Sequence, residues 1–78
     1  FPVVLEKVVA EKQETSVRGI SWFLVDANHA ALPLSARFSS PWELFSLSGG
    51  QPLTVFGLWD GFSLFPMAAW ESGRFVRL

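Results

Sequence analysis

The sequence predicts a mostly-β fold: a small barrel of five to six strands, interrupted once by a short helix between the third and fourth strands. Three observations carry that prediction. Short runs rich in Val, Phe and Trp recur along the chain, several of them bounded by Gly, Pro, Asp or Asn. One segment around residues 40–50 switches to a helical pattern with its own start and stop signals. Asp60-Gly61 lies between two apolar runs, the strongest short-range signal for a β-hairpin.

Length and composition exclude several functions at once. A chain of 78 residues is one domain at most, burying roughly 60 to 65% of the surface its unfolded form exposes, which leaves no room for an enzyme with its own cofactor domain. With no cysteine and the single His29, the chain offers neither a disulfide nor the three or four ligands of a zinc centre, so no metal or cofactor is expected. Six Lys and Arg against seven Asp and Glu give a net charge of −1, without the long-range attraction that dominates non-specific nucleic-acid binding. The longest apolar runs, such as Trp22 to Val25, are far shorter than the roughly 20 residues a membrane span needs. A cytoplasmic location with no membrane partner is the expectation. The chain opens on Phe1 without a basic-then-apolar leader, so residues 1–78 read as a single domain excised from a longer protein.

The elements follow in order. Phe1 to Val9 alternates and is rich in Val, which predicts a first strand. AEKQETS, residues 10–16, is polar and reads as an exposed connection, either frayed, hairpin-like or a short helical turn. Val17 to Val25 is nearly continuously β-branched or aromatic, as expected of a strand covered on both faces. In DANHA, Asp26 and Asn28 favour a tight turn leading into a third strand, Ala31 to Ser35, where Pro33 implies an edge or a bulge because it has no N–H to donate.

The helix has the most specific local signature. Ser40 is a capping residue, Pro41 suits the first helical position and Glu43 lies three residues after the cap, which together satisfy amide groups at a helix start. Gly49-Gly50 supplies the left-handed backbone that ends it, giving a helix over Pro41 to Ser48. Leu47 to Gln51, LSGGQ, also spells the signature of ABC-type ATPases. There the motif opens a long helix whose amides face phosphate. Here it closes a helix, where carbonyls and the negative dipole end repel phosphate, and no GxxxxGK[ST] loop accompanies it.

Beyond the helix, Leu53 to Trp59 and Phe62 to Trp70 read as strands flanking the Asp60-Gly61 turn, with Gly57 as a bulge or bend. Glu71-Ser72-Gly73 turns into a short last strand, Arg74 to Leu78. The order of three strands, a helix and further strands is that of the OB-fold, a five-stranded Greek-key barrel.

The second half also resembles a known family. "LPLS" at Leu32 to Ser35, "PWELFSLSGGQPLTVFGLWDG" at Pro41 to Gly61 and "PMAAW" at Pro66 to Trp70 are similar to the region beyond the zinc finger in bacterial SWIM zinc finger family proteins. A Leu-Pro-Leu strand, a Trp-containing short helix ending in Ser-Gly-Gly and a Gly-x-Trp-Asp-Gly hairpin recur there. The resemblance implies an auxiliary domain of a larger bacterial protein whose finger is associated with binding DNA or protein. The Cys and His ligands of the finger are not in this chain, so zinc binding is carried over to no residue, and the resemblance names no catalytic group.

Two functional readings remain after weighing the candidate residues. His29 has a polar turn for neighbours and no nucleophile beside it, and Asp60 precedes a Gly as turn formers do, so no catalytic residue is assigned. Between Leu44 and Trp70 the only charge is Asp60, and both alternating faces of the final hairpin are apolar. One small core cannot bury both. The favoured reading is therefore a non-enzymatic interaction module with Trp59, Phe62, Phe65 and Trp70 facing a protein partner, another domain of its own chain or a second copy of itself. The alternative is an OB-type module for single-stranded nucleic acid, with Arg18 and Arg37 for phosphate and Trp22 and Phe38 for base stacking.

Overall fold

A computed structural model describes residues 1–15, 19–35, 37–38 and 41–78, with the backbone alone at residues 15 and 19–21. The protein is mostly β. Its strands are β1 (Pro2–Thr15), β2 (Gly19–Val25), β3 (Ala31–Pro33), β4 (Leu53–Trp59), β5 (Leu64–Glu71) and β6 (Arg74–Arg77), and one helix, α1 (Pro41–Ser48), separates β3 from β4. They form a single antiparallel sheet of order β3-β2-β1-β4-β5-β6. No helix among the described residues is long and apolar enough to cross a membrane.

β1 is the spine of this sheet. Its first part pairs with β4, from Pro2 opposite Leu58 to Val8 opposite Leu53, and its second part pairs with β2, from Val9 opposite Val25 to Thr15 opposite Gly19. The two parts meet at a bulge between Leu5 and Val8, where Lys7 takes a left-handed φ of 55°. β1 thus continues six residues past the expected end at Val9, through most of the stretch expected to be a connection. Glu11 to Glu14 are exposed and show no apolar alternation, so nothing in their own pattern marks a strand. Their strand conformation comes from hydrogen bonding to β2 in a solvated hairpin arm.

Most of the remaining expectations are met with small shifts. β3 is an edge strand, as Pro33 implies, and its ladder with β2 ends at Pro33 opposite Phe23. Beyond it, Leu34 donates its N–H to the Trp22 carbonyl (3.0 Å) and Ser35 to that of Leu64 (2.7 Å). Leu34 and Leu64 form a single parallel bridge. That bridge brings the end of β3 to the start of β5, but no continuous ladder closes the sheet. The helix has the expected bounds. Gly49 and Gly50 end it at φ 45° and 89°, the Gly49 amide donating to the Phe45 carbonyl (3.0 Å) and the Ser48 hydroxyl to that of Gln51 (3.2 Å). LSGGQ is a helix C-terminus. The Ser40 cap and Val17 lie outside the described residues.

The β4–β5 loop is longer than a two-residue turn. Trp59 pairs with Leu64, leaving Asp60 to Ser63 as the connection, so Phe62 stands at the turn rather than in β5. By contrast, β5 and β6 are joined by a tight turn in which Ser72 and Gly73 both have positive φ, at 44° and 83°, with Glu71 opposite Arg74. This is the backbone of a type I′ hairpin.

One core fills the concave side. Val8 and Ala10 of β1, Leu24 of β2, Leu53 and Val55 of β4, and Leu64 and Ala69 of β5 are buried around Leu44 of α1. Gly57 lets the last hairpin close over this core. A Cβ there would lie 2.7 Å from the Phe65 carbonyl oxygen and 3.1 Å from Leu64 Cδ1, and the ladder shifts register at this point, between Phe56 and Gly57. Gly57→Ala should therefore lower stability by about 1 to 3 kcal/mol through overpacking, read as a shift of the denaturant midpoint. An unchanged midpoint would show that β4 and β5 are not held this close.

Candidate functional site

The register of β1, β4, β5 and β6 sorts side chains onto two faces. Residues directly opposite in an antiparallel pair share a face. Val3, Leu5 and Val8 therefore point inward with Gly57, Val55 and Leu53, while Pro2 and Val4 point outward with Leu58 and Phe56. On the far side of β4, Leu58 is paired with Phe65 and Thr54 with Trp70, and Trp70 is in turn paired with Phe75 of β6. The outer face thus carries an apolar field that reaches across four strands, with Thr54 of β4 within it and Arg77 of β6 at its margin opposite Ala68. Its apolar members are far from buried: Phe75 is 59% exposed, Val4 57%, Trp70 45% and Phe56 37%. Phe56 and Phe75 meet within it at 6.2 Å between ring centroids.

A second bulge decides the place of Trp70. Strict alternation along β5 puts Trp70 on the same face as Leu64, which is inward. The ladder instead runs from Gly57 opposite Pro66 to Phe56 opposite Ala68, so Met67 is an extra residue and every later side chain changes face. Ala69 turns inward opposite Val55, and Trp70 turns outward beside Phe65 and Met67.

Of the residues expected to face a partner, Phe65 and Trp70 lie on this field. Phe62 is 84% exposed but sits at the β4–β5 turn, and Trp59 is half-buried against the core. Val4, Phe56, Leu58, Met67 and Phe75 belong to the face and were missed. The signal for Phe56 and Leu58 was the alternation of β4 itself, which sets them on the face opposite Leu53, Val55 and Gly57.

The residues of the nucleic-acid reading are dispersed. Arg18 lies outside the described residues. Trp22 is half-buried and meets Phe45 of α1 edge-on at 5.7 Å, and Phe38 packs edge-on against Phe65 at 6.2 Å. Arg37 is exposed beside a cleft of about 550 Å³ that also takes in Trp59, Phe65, Ser63 and Asp60. The structure therefore brings Arg37 together with three aromatic residues, Phe1, Trp59 and Phe65, and with a carboxylate of opposite charge.

Asp60 and Asp26 have the same local task. Asp26 Oδ1 accepts the amides of Asn28 (2.8 Å) and Ala30 (3.0 Å), which holds His29 exposed at a φ of 62°. Asp60 Oδ1 accepts those of Phe62 and Ser63, both at 2.8 Å. Among the described residues no group of three or more His, Cys, Asp or Glu is placed to hold a metal ion. The chain matches no family model, no curated protein and no solved structure.

The amides of Ser63 and Phe62 hold the Asp60 carboxyl below the ordinary aspartate range. A pKa lowered by folding gives stability that is complete above the unfolded value of about 3.9 and is lost as pH falls through the folded one. Asp60→Ala should accordingly cost more stability at pH 7 than at about pH 2. Denaturant midpoints of both chains at the two pH values check this. An equal deficit at both would mean that the carboxylate charge plays no part in the turn.

Proposed function

We propose that this protein is a non-enzymatic interaction domain that docks on a protein surface through the outer face of β1, β4, β5 and β6. The observation that carries this reading is the apolar field itself, in which cross-strand pairs of Val4 with Phe56 and Trp70 with Phe75 stand outward on strands whose inner side already has a complete core. Contiguous apolar surface on that scale marks an interaction site. We also read the architecture as OB-like. Support comes from the shared first strand, the helix between β3 and β4, and the parallel bridge from Leu34 to Leu64 at the position where such a barrel closes. The resemblance of Leu32–Ser35, Pro41–Gly61 and Pro66–Trp70 to SWIM zinc finger family proteins supports a place as an auxiliary domain in a larger bacterial protein.

A second reading has one observation in its favour, the cleft that joins Arg37 to Trp59 and Phe65. A single strand lying there would stack bases on the aromatic rings and set phosphate on the guanidinium. The Asp60 carboxylate in the same cleft and the net charge of −1 weigh against it.

Titration with a labelled single-stranded oligonucleotide at low salt separates the two readings. No saturable binding is expected at about 10 μM. Binding that weakens steeply with added salt and is lost in Arg37→Ala would replace the docking reading with the nucleic-acid one.

A further inference from the structure

We infer that the free edge of β6 receives an extended peptide carrying an acidic residue, which joins the sheet as a further strand beside α1. This edge is a separate site from the outer face and does not depend on docking there.

Backbone hydrogen bonding identifies the edge. β6 ends the sheet, with β5 on one side and no strand among the described residues on the other. Glu71 and Arg74 close the type I′ hairpin as a hydrogen-bonded pair, and Leu78 donates its N–H to the Met67 carbonyl (2.9 Å). Bonded and non-bonded pairs alternate along an antiparallel ladder, so Arg74, Val76 and Leu78 turn their backbone groups toward β5. Phe75 and Arg77 turn theirs away. The N–H and C=O of both residues are therefore placed to pair with an added strand. The opposite edge is less open, because Pro33 of β3 has no N–H and the chain beyond it is bonded to Trp22 and Leu64.

A groove runs beside this edge. While α1 sends Leu44 into the core, its Trp42 and Leu47 line a hollow of about 320 Å³ together with Glu43 and with Arg74, Val76 and Arg77 of β6. Trp42 is 63% exposed, so its ring is available to cover an apolar side chain.

Register gives the chemistry of the occupant. On an antiparallel strand bonded to Phe75 and Arg77, successive side chains point to alternate sides. Arg74 already has Glu71 opposite it on β5, whereas Arg77 has only Ala68. A carboxylate on the added strand opposite Arg77 supplies the missing counter-charge. The next residue, opposite Val76, points into the groove toward Leu47 and Trp42, and the one after it stands beside Phe75. Read from its N-terminus, the peptide is thus acidic, apolar, apolar. A second β6 does not meet this requirement. Its residues, RFVR, include no acid, so the arginines that admit an acidic strand disfavour self-pairing.

Titration of the isotope-labelled whole chain with a synthetic peptide of order Glu-Val-Val, flanked by Gly and Ser, tests the inference. Saturable shifts of the Phe75 and Arg77 amides are expected below about 1 mM, with slower hydrogen exchange at both. A Lys-Val-Val peptide should bind at least about tenfold more weakly, and Arg77→Glu, shown to be folded by circular dichroism, should reverse that preference. N-methylation separates strand addition from charge attraction and needs no variant of the protein. A methyl on the nitrogens opposite Phe75 and Arg77, those of the second Val and the Glu, removes the donors and should abolish binding. A methyl on the first Val, whose N–H points away from β6, should be tolerated. No saturable binding below about 1 mM, equal affinity for the two methylated peptides, or an unchanged preference in folded Arg77→Glu overturns the inference.

Discussion

β1 hydrogen-bonds to β4 along one half of its length and to β2 along the other, and the bulge at Glu6-Lys7 is what lets one strand serve both. A straight β1 would hold the two halves of the sheet in one plane, with too little curvature to enclose anything. The extra residue turns the strand so that Val8, Ala10 and Leu24 on one side and Leu53, Val55, Leu64 and Ala69 on the other reach a single cluster around Leu44. Left-handed backbone at a residue with a Cβ costs about 1 to 2 kcal/mol. The closed core offsets it, since burying a Leu or Val side chain is worth about 1.5 to 3 kcal/mol.

The same geometry explains the outer face. A chain this short has one interior, and the curvature of β1 assigns that interior to one face of every strand. The other face of β4 and β5 remains apolar regardless. At the second bulge Met67 adds Trp70 to that face and moves Ala69 into the core, exchanging a small side chain for a large one where the interior is tight. The molecule thus places its smaller residues inside and several of its largest outside. That distribution leaves hydrophobic free energy to be gained on docking rather than on folding.

Features governed by adjacent residues were legible in the sequence. The helix bounds, the left-handed glycines after it, the Asp26 turn and the edge position of β3 each follow from a residue type acting on its own backbone. Features governed by a partner strand were not. Glu11 to Glu14 become strand only because β2 lies beside them, and neither Lys7 nor Met67 is a residue that announces a bulge. The candidate site was legible to the same depth. Two apolar faces on one hairpin imply that one must be outward. Membership depended on register, so Trp59 was placed outward when it packs inward, Phe62 was placed in a strand when it stands in a turn, and Phe56 and Phe75 were overlooked.

The bend at Lys7 is the most direct point of attack on this account. Lys7 is exposed and its backbone is left-handed, so Lys7→Gly relieves strain while Lys7→Val, β-branched at positive φ, adds to it. The two denaturant midpoints, compared with that of the native chain, give the answer. The account predicts that Lys7→Gly is at least as stable as the native chain and that Lys7→Val falls below it by more than about 1 kcal/mol. Equal midpoints for Gly and Val would mean that β1 does not turn at Lys7, and that the single core and the outward face derived from that turn are wrong.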